Sequence, residues 1–165
     1  AGSASFSNPK YPRERTMIEH EHAVDVLNGL IETTLDSAHG YKEAADHLDR
    51  VEIRRTFAER SDERFALSRR LQEEVRRLGG TPKDDGTMVG KAHNAWAGVK
   101  KALTGGEEKS VIDEVERGED VIKGKFEKAA NKGDLPAEAH LMIEDAYRTI
   151  QADHDQVSAL KHSLH

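Results

Sequence analysis

The segment LNGLIETTLDSAHGYKEAAD, residues 27–46, decides the fold class of this chain. Its apolar side chains recur every three or four residues, which is the period of a helix with one buried face. The same spacing continues on both sides, so we predict a first long helix, helix A, over residues 17–48. Its apolar positions are Val24, Leu27, Leu30, Ile31, Leu35, Ala38, Tyr41, Ala45 and Leu48.

Three further long amphipathic segments follow helix A. Helix B is predicted over residues 50–78 and ends before Gly79 and Gly80, because glycine accepts the left-handed conformation that closes a helix. Helix C is predicted over residues 107–131, and helix D opens at Pro136 and runs to about residue 163. The link between helices A and B is very short, so these two helices should form an antiparallel hairpin.

A long crossover separates helices B and C. It contains roughly 28 residues, with a short amphipathic helix of its own predicted over residues 88–103. A link of this length can return along the bundle, so helix C should run parallel to helix B. The layout predicts an all-α, ferritin-like four-helix bundle with a short crossover helix between helices B and C. We assign residues 17–165 to this single domain and residues 1–16, which show no period, to a flexible arm.

Composition excludes several classes of function. Charged residues make up 34% of the chain, its net charge is −6, and acidic and basic residues are interleaved, so no basic stripe is available for nucleic acid. The absence of cysteine excludes disulfides and thiolate chemistry. No apolar run approaches the ~18 residues of a membrane span, and no signal segment opens the chain. We therefore expect a cytoplasmic protein that binds neither nucleic acid nor membrane.

The carboxylate and histidine set of a di-iron bundle is incomplete. Ferritin-like di-iron proteins use a glutamate on each of two helices and Glu-x-x-His on each of the other two. Helix B offers Glu59-x-x-Asp62 and helix D offers Glu144-x-x-Tyr147, so both lack the histidine. The polar side chains predicted to face inward from helices A and B are poor ligands for iron. These are Thr34, Ser61, Ser68 and Gln72.

Helices C and D carry the remaining candidate metal ligands. Glu119 is predicted to face at least partly inward, Asp153 and His154 straddle the apolar line of helix D, and Glu116 lies within roughly a turn of His154. A metal site would use Glu116, Glu119, Asp153 and His154, with iron or manganese as the ion. The alternative, which we favour because one histidine is a small ligand set, is a hydrogen bond from His154 to Glu119 or Glu116 that fixes the register of the two helices.

Three aromatic residues deserve functional interpretation. Trp96, the only tryptophan, should lie with His93 on the inner face of the crossover helix. It could stack on a cofactor, but a lid residue that seals the bundle is the preferred interpretation. Tyr41 and Tyr147 should be near the core, where their hydroxyl groups need partners. Packing is the ordinary explanation for both, and redox chemistry is the alternative.

Four segments together carry a family resemblance. They are LNGLIETTLDSAHGYKEAAD (27–46), LQEEVRRLGGTP (71–82), AWAGVKKALTGG (95–106) and ERGED (116–120). The chain resembles the DUF2383 family of four-helix-bundle domains, which is placed with the ferritin-like folds, over about residues 20–163. The resemblance implies a ferritin-like bundle with a helical crossover, and no particular activity. Similar bundles are often discussed as bacterial stress proteins.

A complete scaffold with an incomplete ligand set favours a protein that is not an enzyme. We expect a non-catalytic, stress-associated structural or interaction protein without a cofactor. One alternative is a divergent metal-binding or redox protein that uses the glutamates and histidine between helices C and D. Another is a carrier of a small ligand, with a pocket under Trp96.

The apolar stripes of helices A and B predict a homo-oligomer, most simply a homodimer. Ile53 and Leu67 are predicted at the edges of the stripe of helix B, and Val26 and Ala44 broaden that of helix A. A stripe wider than about 100° needs a cover beyond the helix's own neighbours. Two-fold pairing is the commonest cover. The alternative is that the crossover helix and the arm cover this surface in a monomer.

Overall fold

The computed structural model describes residues 12–84 and 94–164, which form five helices and no strand. The helices are α1 (Pro12–His47), α2 (Val51–Arg77), α3 (Asn94–Gly105), α4 (Glu108–Ala130) and α5 (Ala137–Leu164). Helices α1, α2, α4 and α5 are the predicted helices A to D, and α3 belongs to the crossover. The all-α class is therefore confirmed. The start of the predicted crossover helix and residues 1–11 of the predicted arm lie outside the described residues.

The helix ends follow from local chemistry. Helix α1 begins at Pro12 rather than at residue 17, because proline is compatible with the first turn of a helix, and Thr16 Oγ1 donates a hydrogen bond of 2.9 Å to the Pro12 carbonyl. Helix α2 ends as predicted at two glycines. Gly79 has a φ of 86°, and the Gly80 N–H donates to the Val75 carbonyl at 2.9 Å, which closes a Schellman motif.

Ion pairs at both ends of the bundle establish the directions of its helices. His22, near the start of α1, lies 3.0 Å from Asp134, just beyond the end of α4. Arg50, just beyond the end of α1, lies 3.2 Å from Glu108 at the start of α4. Helix α1 is therefore antiparallel to α4. Since α1 and α2 form an antiparallel hairpin, α2 and α4 run in the same direction, as the length of the crossover predicted.

The core consists of two apolar clusters, one toward each end of the bundle. In the long helices, buried positions recur every three or four residues, which keeps one seam facing its neighbours, and the middle of α1 is buried on all sides. The cluster at the end where α1 begins includes Leu27, Leu71, Phe126 and Ile143. The cluster at the opposite end includes Tyr41, Phe57, Val115 and Val157. Between the two clusters the seam positions are polar.

Helix α3 packs against α1 and α4 through Trp96. The indole is buried and lies against Gly40 of α1 and Gly118 of α4. A Cβ atom at Gly40 would stand 2.1 Å from Trp96 Cε3, and one at Gly118 would stand 2.4 Å from Cε2. The two glycines therefore create the space for the indole, which covers this flank of the bundle as the lid interpretation predicted.

The apolar positions that suggested a dimer lie inside the monomer. Ile53, Leu67 and Ala44 are 4%, 5% and 0% exposed, and Val26 is half-buried. The placement of Ile53 and Leu67 at the outer edge of the stripe was wrong because both occupy seam positions of α2. The width of the stripe consequently gives no support to self-association.

No helix among the described residues combines the length and the apolar character that crossing a membrane requires.

Candidate functional site

A layer of charged and polar side chains crosses the middle of the bundle, between the two apolar clusters. All four long helices contribute to it from their seams. Most of its members are buried, and they include two arginines, two carboxylates, a tyrosine and several hydroxyl groups. The layer comprises Thr34, Ser37, Tyr41, Arg60, Ser61, Arg64, Ser68, Glu119 and Asp153.

Arg64 is the central residue of this layer. Its guanidinium binds Glu119 through two parallel contacts, Nη1 to Oε1 at 2.7 Å and Nη2 to Oε2 at 3.0 Å. Nη2 also donates to Asp153 Oδ2 at 3.1 Å, and Nη1 donates to Ser37 Oγ at 2.5 Å. The planar fork of arginine suits this two-point recognition of a carboxylate. One side chain of α2 thereby joins α1, α4 and α5.

Arg60 lies one turn before Arg64 and contacts the same carboxylate of α5. Its Nε is 3.3 Å from Asp153 Oδ2, its Nη1 donates to Tyr41 Oη at 3.4 Å, and its Nη2 donates to Gln156 Oε1. Asp153 therefore stands between two guanidinium groups. Burial raises the pKa of Asp153, and the positive charges of Arg60 and Arg64 oppose that shift.

Tyr41 is fully buried beside both guanidinium groups. The guanidinium carbons of Arg60 and Arg64 lie 5.6 and 5.5 Å from the centre of its ring, within the range of cation–π attraction. Burial, followed by the negative charge of Glu119, raises the pKa of Tyr41 well above its ordinary value. Tyr41 is therefore a neutral phenol, and its predicted need for a partner is met because its hydroxyl oxygen accepts the hydrogen bond from Arg60.

The layer is electrically balanced. Burial alone would lower the pKa of Arg64, but the charge and hydrogen bonds of Glu119, together with Tyr41 and Asp153, raise it, so Arg64 is a permanent cation. Two guanidinium groups face the carboxylates of Glu119 and Asp153. Removing four charges from water is costly, and close pairing with additional hydrogen bonds is what makes such an arrangement tolerable.

The four predicted metal ligands are engaged in three separate sets of ion pairs, with Glu119 and Asp153 sharing Arg64. Glu119 and Asp153 bind the arginines of α2, and Glu116 accepts a hydrogen bond of 2.8 Å from Lys161 Nζ. Burial opposes ionisation of Glu116, but its hydrogen bonds, that from Lys161 first, lower its pKa. Within residues 12–84 and 94–164, no three His, Asp or Glu side chains are grouped as metal ligands.

His154 has a different partner from the one predicted. Its Nε2 lies 2.6 Å from Asp120 Oδ1, and its Nδ1 lies 3.2 Å from Asp155 Oδ1. The expected contact with Glu119 or Glu116 was wrong, because Glu119 occupies the seam and turns toward Arg64 while the next residue faces His154. Burial opposes protonation of His154, but the hydrogen bonds to Asp155 and Asp120 prevail and raise its pKa.

Sequence reasoning found only the uncharged part of the layer on α1 and α2. Thr34, Ser61 and Ser68 are buried as predicted, and Gln72 is half-buried. The two buried arginines were missed because charged residues of α2 were assigned to solvent. The spacing along α2 contained one sign that Arg64 is buried, because Arg64 lies seven residues after Phe57 and seven before Leu71, and both of these are buried.

A groove of 490 Å³ lies between α1 and α3, beside Trp96. One wall carries Asp36, His39 and Glu43, and the other carries Lys100, Lys101 and Thr104. Its volume falls within the ~300–1,000 Å³ of small-molecule sites. The groove lies where a pocket under Trp96 was predicted.

Comparison with family models identifies the family of the chain. The family model described as a domain of unknown function, DUF2383, matches residues 22–132. No curated protein matches the chain significantly.

Proposed function

This chain belongs to the DUF2383 family, and we propose that it is a ferritin-like bundle that serves as a structural or interaction protein rather than as an enzyme. The ferritin-like assignment is supported by the parallel course of α2 and α4 and by a crossover that contains a helix. The association with bacterial stress, and location in the cytoplasm, remain predictions from the sequence.

The position of the Arg64 guanidinium is the observation that carries this proposal. In a di-iron bundle, carboxylates from the facing helices converge on cations at the centre. Here Glu119 and Asp153 point toward the centre from α4 and α5, and Arg64 supplies the positive charge. A metal ion would have to displace this cation and compete for oxygens that already accept its hydrogen bonds. The layer therefore favours cohesion between helices over redox chemistry.

Elemental analysis of the untagged protein tests this proposal. Cells grown with added iron and manganese should yield protein with far less than one equivalent of either metal. The chain has nine histidines, so a Glu119→Gln variant distinguishes a metal in the layer from one held at the surface. Stoichiometric metal in the wild type that is lost from Glu119→Gln would refute the proposal.

The metal-binding alternative stays a prediction, and it requires that existing ion pairs break. Glu119 and Asp153 would have to leave Arg64, and His154 would have to leave Asp120, before the four predicted ligands could share an iron or manganese ion. Metal binding should then change the unfolding transition, because it would break the ion pairs that join the four helices.

The groove beside Trp96 favours a second candidate function, the binding of a small ligand. Its walls carry opposite charges, and Trp96 and Val99 add apolar surface. A ligand that fits should perturb the resonances of His39 and the Trp96 indole N–H. A screen by NMR for such paired shifts tests the carrier function, and a titration in which neither group responds to any compound counts against it.

Self-association remains part of the proposed function, although the apolar stripes that suggested it are buried in the monomer. A different surface supports it, as described next.

A further inference from the structure

The outer face of α2 presents blocks of charge that alternate along the helix. Three arginine pairs, at residues 54–55, 69–70 and 76–77, are separated by exposed acidic residues. The acidic residues are Glu52, Glu59, Asp62, Glu63 and Glu73. At 100° per residue, Arg55 and Glu73 lie on the line opposite the buried seam, and Glu59 and Arg70 share one edge of the same broad stripe. We call this stripe the outer α2 face.

Most of these charges have no partner within the described part of the chain. Arg54, Arg55, Arg69 and Arg70 form no ion pair there, although all four are exposed. The same holds for Glu52, Glu59 and Asp62. The exception at the midline is Glu73, which pairs with Arg76 along the helix at 2.7 Å, so most but not all of the charges on the outer α2 face are without a partner among the residues of the monomer that the structure describes.

We propose that the outer α2 face pairs with the same face of a second copy of this chain, antiparallel about a two-fold axis near residue 64. This inference rests on the proposed self-association and names its surface. In this register, residues on the same edge of the stripe whose numbers add to about 128 stand opposite each other. Arg70 faces Glu59 and Arg55 faces Glu73, and the two-fold axis forms each pair twice.

Other registers are penalised by like charges. A parallel pairing sets every charged residue against its own copy. A slip of one turn in one direction brings Arg55 opposite Arg69, and a slip in the other direction brings it opposite Arg76. The pattern therefore selects one arrangement, which is the way in which charges specify partners in paired helices.

Small side chains at the middle of the face allow the two helices to approach. Ala58 is exposed and Ala66 is half-buried, and both lie close to the proposed axis. Val51, at the end of the same stripe, is 54% exposed and is one of the three large apolar side chains most exposed in the described residues. Exposed ion pairs are individually weak and are screened by salt, so the dimer should be sensitive to ionic strength.

Sedimentation equilibrium of the full chain tests the arrangement. At about 50 mM salt, where screening is weak, the mass should approach twice 18.4 kDa, and at about 500 mM it should fall toward 18.4 kDa. A mass of 18.4 kDa at low salt and high protein concentration would overturn the proposal.

Charge exchange tests the register. Glu59→Lys and Arg70→Glu should each weaken the dimer about tenfold or more at low salt, because each sets like charges against each other. The double variant should restore it. Within one chain the two residues are about 16 Å apart along α2, so restoration requires contact between copies. Lys125→Glu, an exposed reversal on α4, is the matched control and should leave association unchanged.

A dimer that tolerates both single variants, or a double variant that stays monomeric with normal helicity, contradicts the register. These outcomes do not depend on the metal analysis, so either proposal can fail without the other.

Discussion

Arg64 donates hydrogen bonds to both carboxylate oxygens of Glu119, and the side chains of the two residues are 2% and 0% exposed to solvent. The pair lies in the seam positions of α2 and α4, where an apolar bundle would place leucine or isoleucine. Such a pair is weak support for stability, because desolvation offsets much of its attraction. Its directional bonds instead favour one alignment of the four helices over shifted alternatives, in which the charges would be buried without partners.

Breaking this pair should be more harmful than removing it. Arg64→Met leaves Glu119 buried without its cation, and the free energy of unfolding should fall by about 3–5 kcal/mol. Arg64→Met with Glu119→Met replaces both charges by apolar groups and should recover most of that loss. Urea unfolding followed by circular dichroism measures each variant. If the double variant loses the sum of the two single losses, the residues are not coupled as the structure implies.

The space that Gly40 and Gly118 leave for Trp96, here called the slot, predicts that glycine-to-alanine substitutions at two positions of α1 have opposite effects on stability. Gly40→Ala should destabilise the protein by about 1–3 kcal/mol, because its new methyl group overlaps the indole. Gly29→Ala in α1 is the matched control, since nothing lies within 4 Å of its Cβ position, and it should stabilise by about 0.5–1 kcal/mol through helix propensity. Thermal unfolding compares them, and equal shifts would contradict the slot.

The same comparison can be made in α4. Gly118→Ala should clash with the indole, whereas Gly124→Ala has open space around its Cβ position. If Gly118→Ala lowers the stability and Gly124→Ala does not, glycine is required on both helices that contact the indole.

The ion pair between His154 and Asp120 predicts a pH dependence of stability. The pKa of His154 is raised in the folded protein, so protonation favours folding. This contribution is complete below the ordinary histidine pKa of about 6.5 and is lost as pH rises through the raised value. Asp120→Asn should lower the pKa of His154 and cost about 0.5–1 kcal/mol near pH 6, with little cost at pH 9. NMR titration and urea unfolding at both pH values measure this, and an unchanged His154 titration would refute the pairing.

Leu67 and Leu141 give a matched test of the core assignment. Leu67 is 5% exposed and Leu141 is 64% exposed. Leu67→Glu places a carboxylate among apolar side chains and should unfold most of the protein, whereas Leu141→Glu should change its stability by less than about 0.5 kcal/mol. Circular dichroism at 25 °C measures the helical content of each variant. A well-folded Leu67→Glu protein would mean that Leu67 is not part of the core.

Periodicity was sufficient to predict the helices because each seam is mostly apolar. The glycines after α2 and the proline before α5 marked helix ends correctly, since these residues act through local backbone geometry. The start of α1 was missed because residues 12–16 are polar and carry no period, although Pro12 is a suitable first helical residue. The direction of α4 relative to α2 followed from the length of the crossover.

The ionic layer could not be predicted in the same way. The position of Glu119 beside the apolar line of α4 did predict that it faces inward, but a hydrophobicity pattern treats Arg64 as solvated and does not show that each of the two charges is stable in the interior because it meets the other. This contact joins two residues that are 55 positions apart in the sequence and lie on different helices. Asp120 was overlooked for a related reason, because a rotation of one residue about α4 decides which carboxylate reaches His154.

The placement of Trp96 makes it an intrinsic fluorescent probe of the fold. The only indole in the sequence is enclosed by α1 and α4 and lies 5.3 Å from the Tyr41 ring. Its emission therefore reports the docking of α3 against α1 and α4, while far-ultraviolet dichroism reports all five helices. If α3 detaches before the bundle melts, the two signals will change at different urea concentrations. The difference between the two midpoints would measure how far α3 detaches independently of the four long helices that the buried charges join.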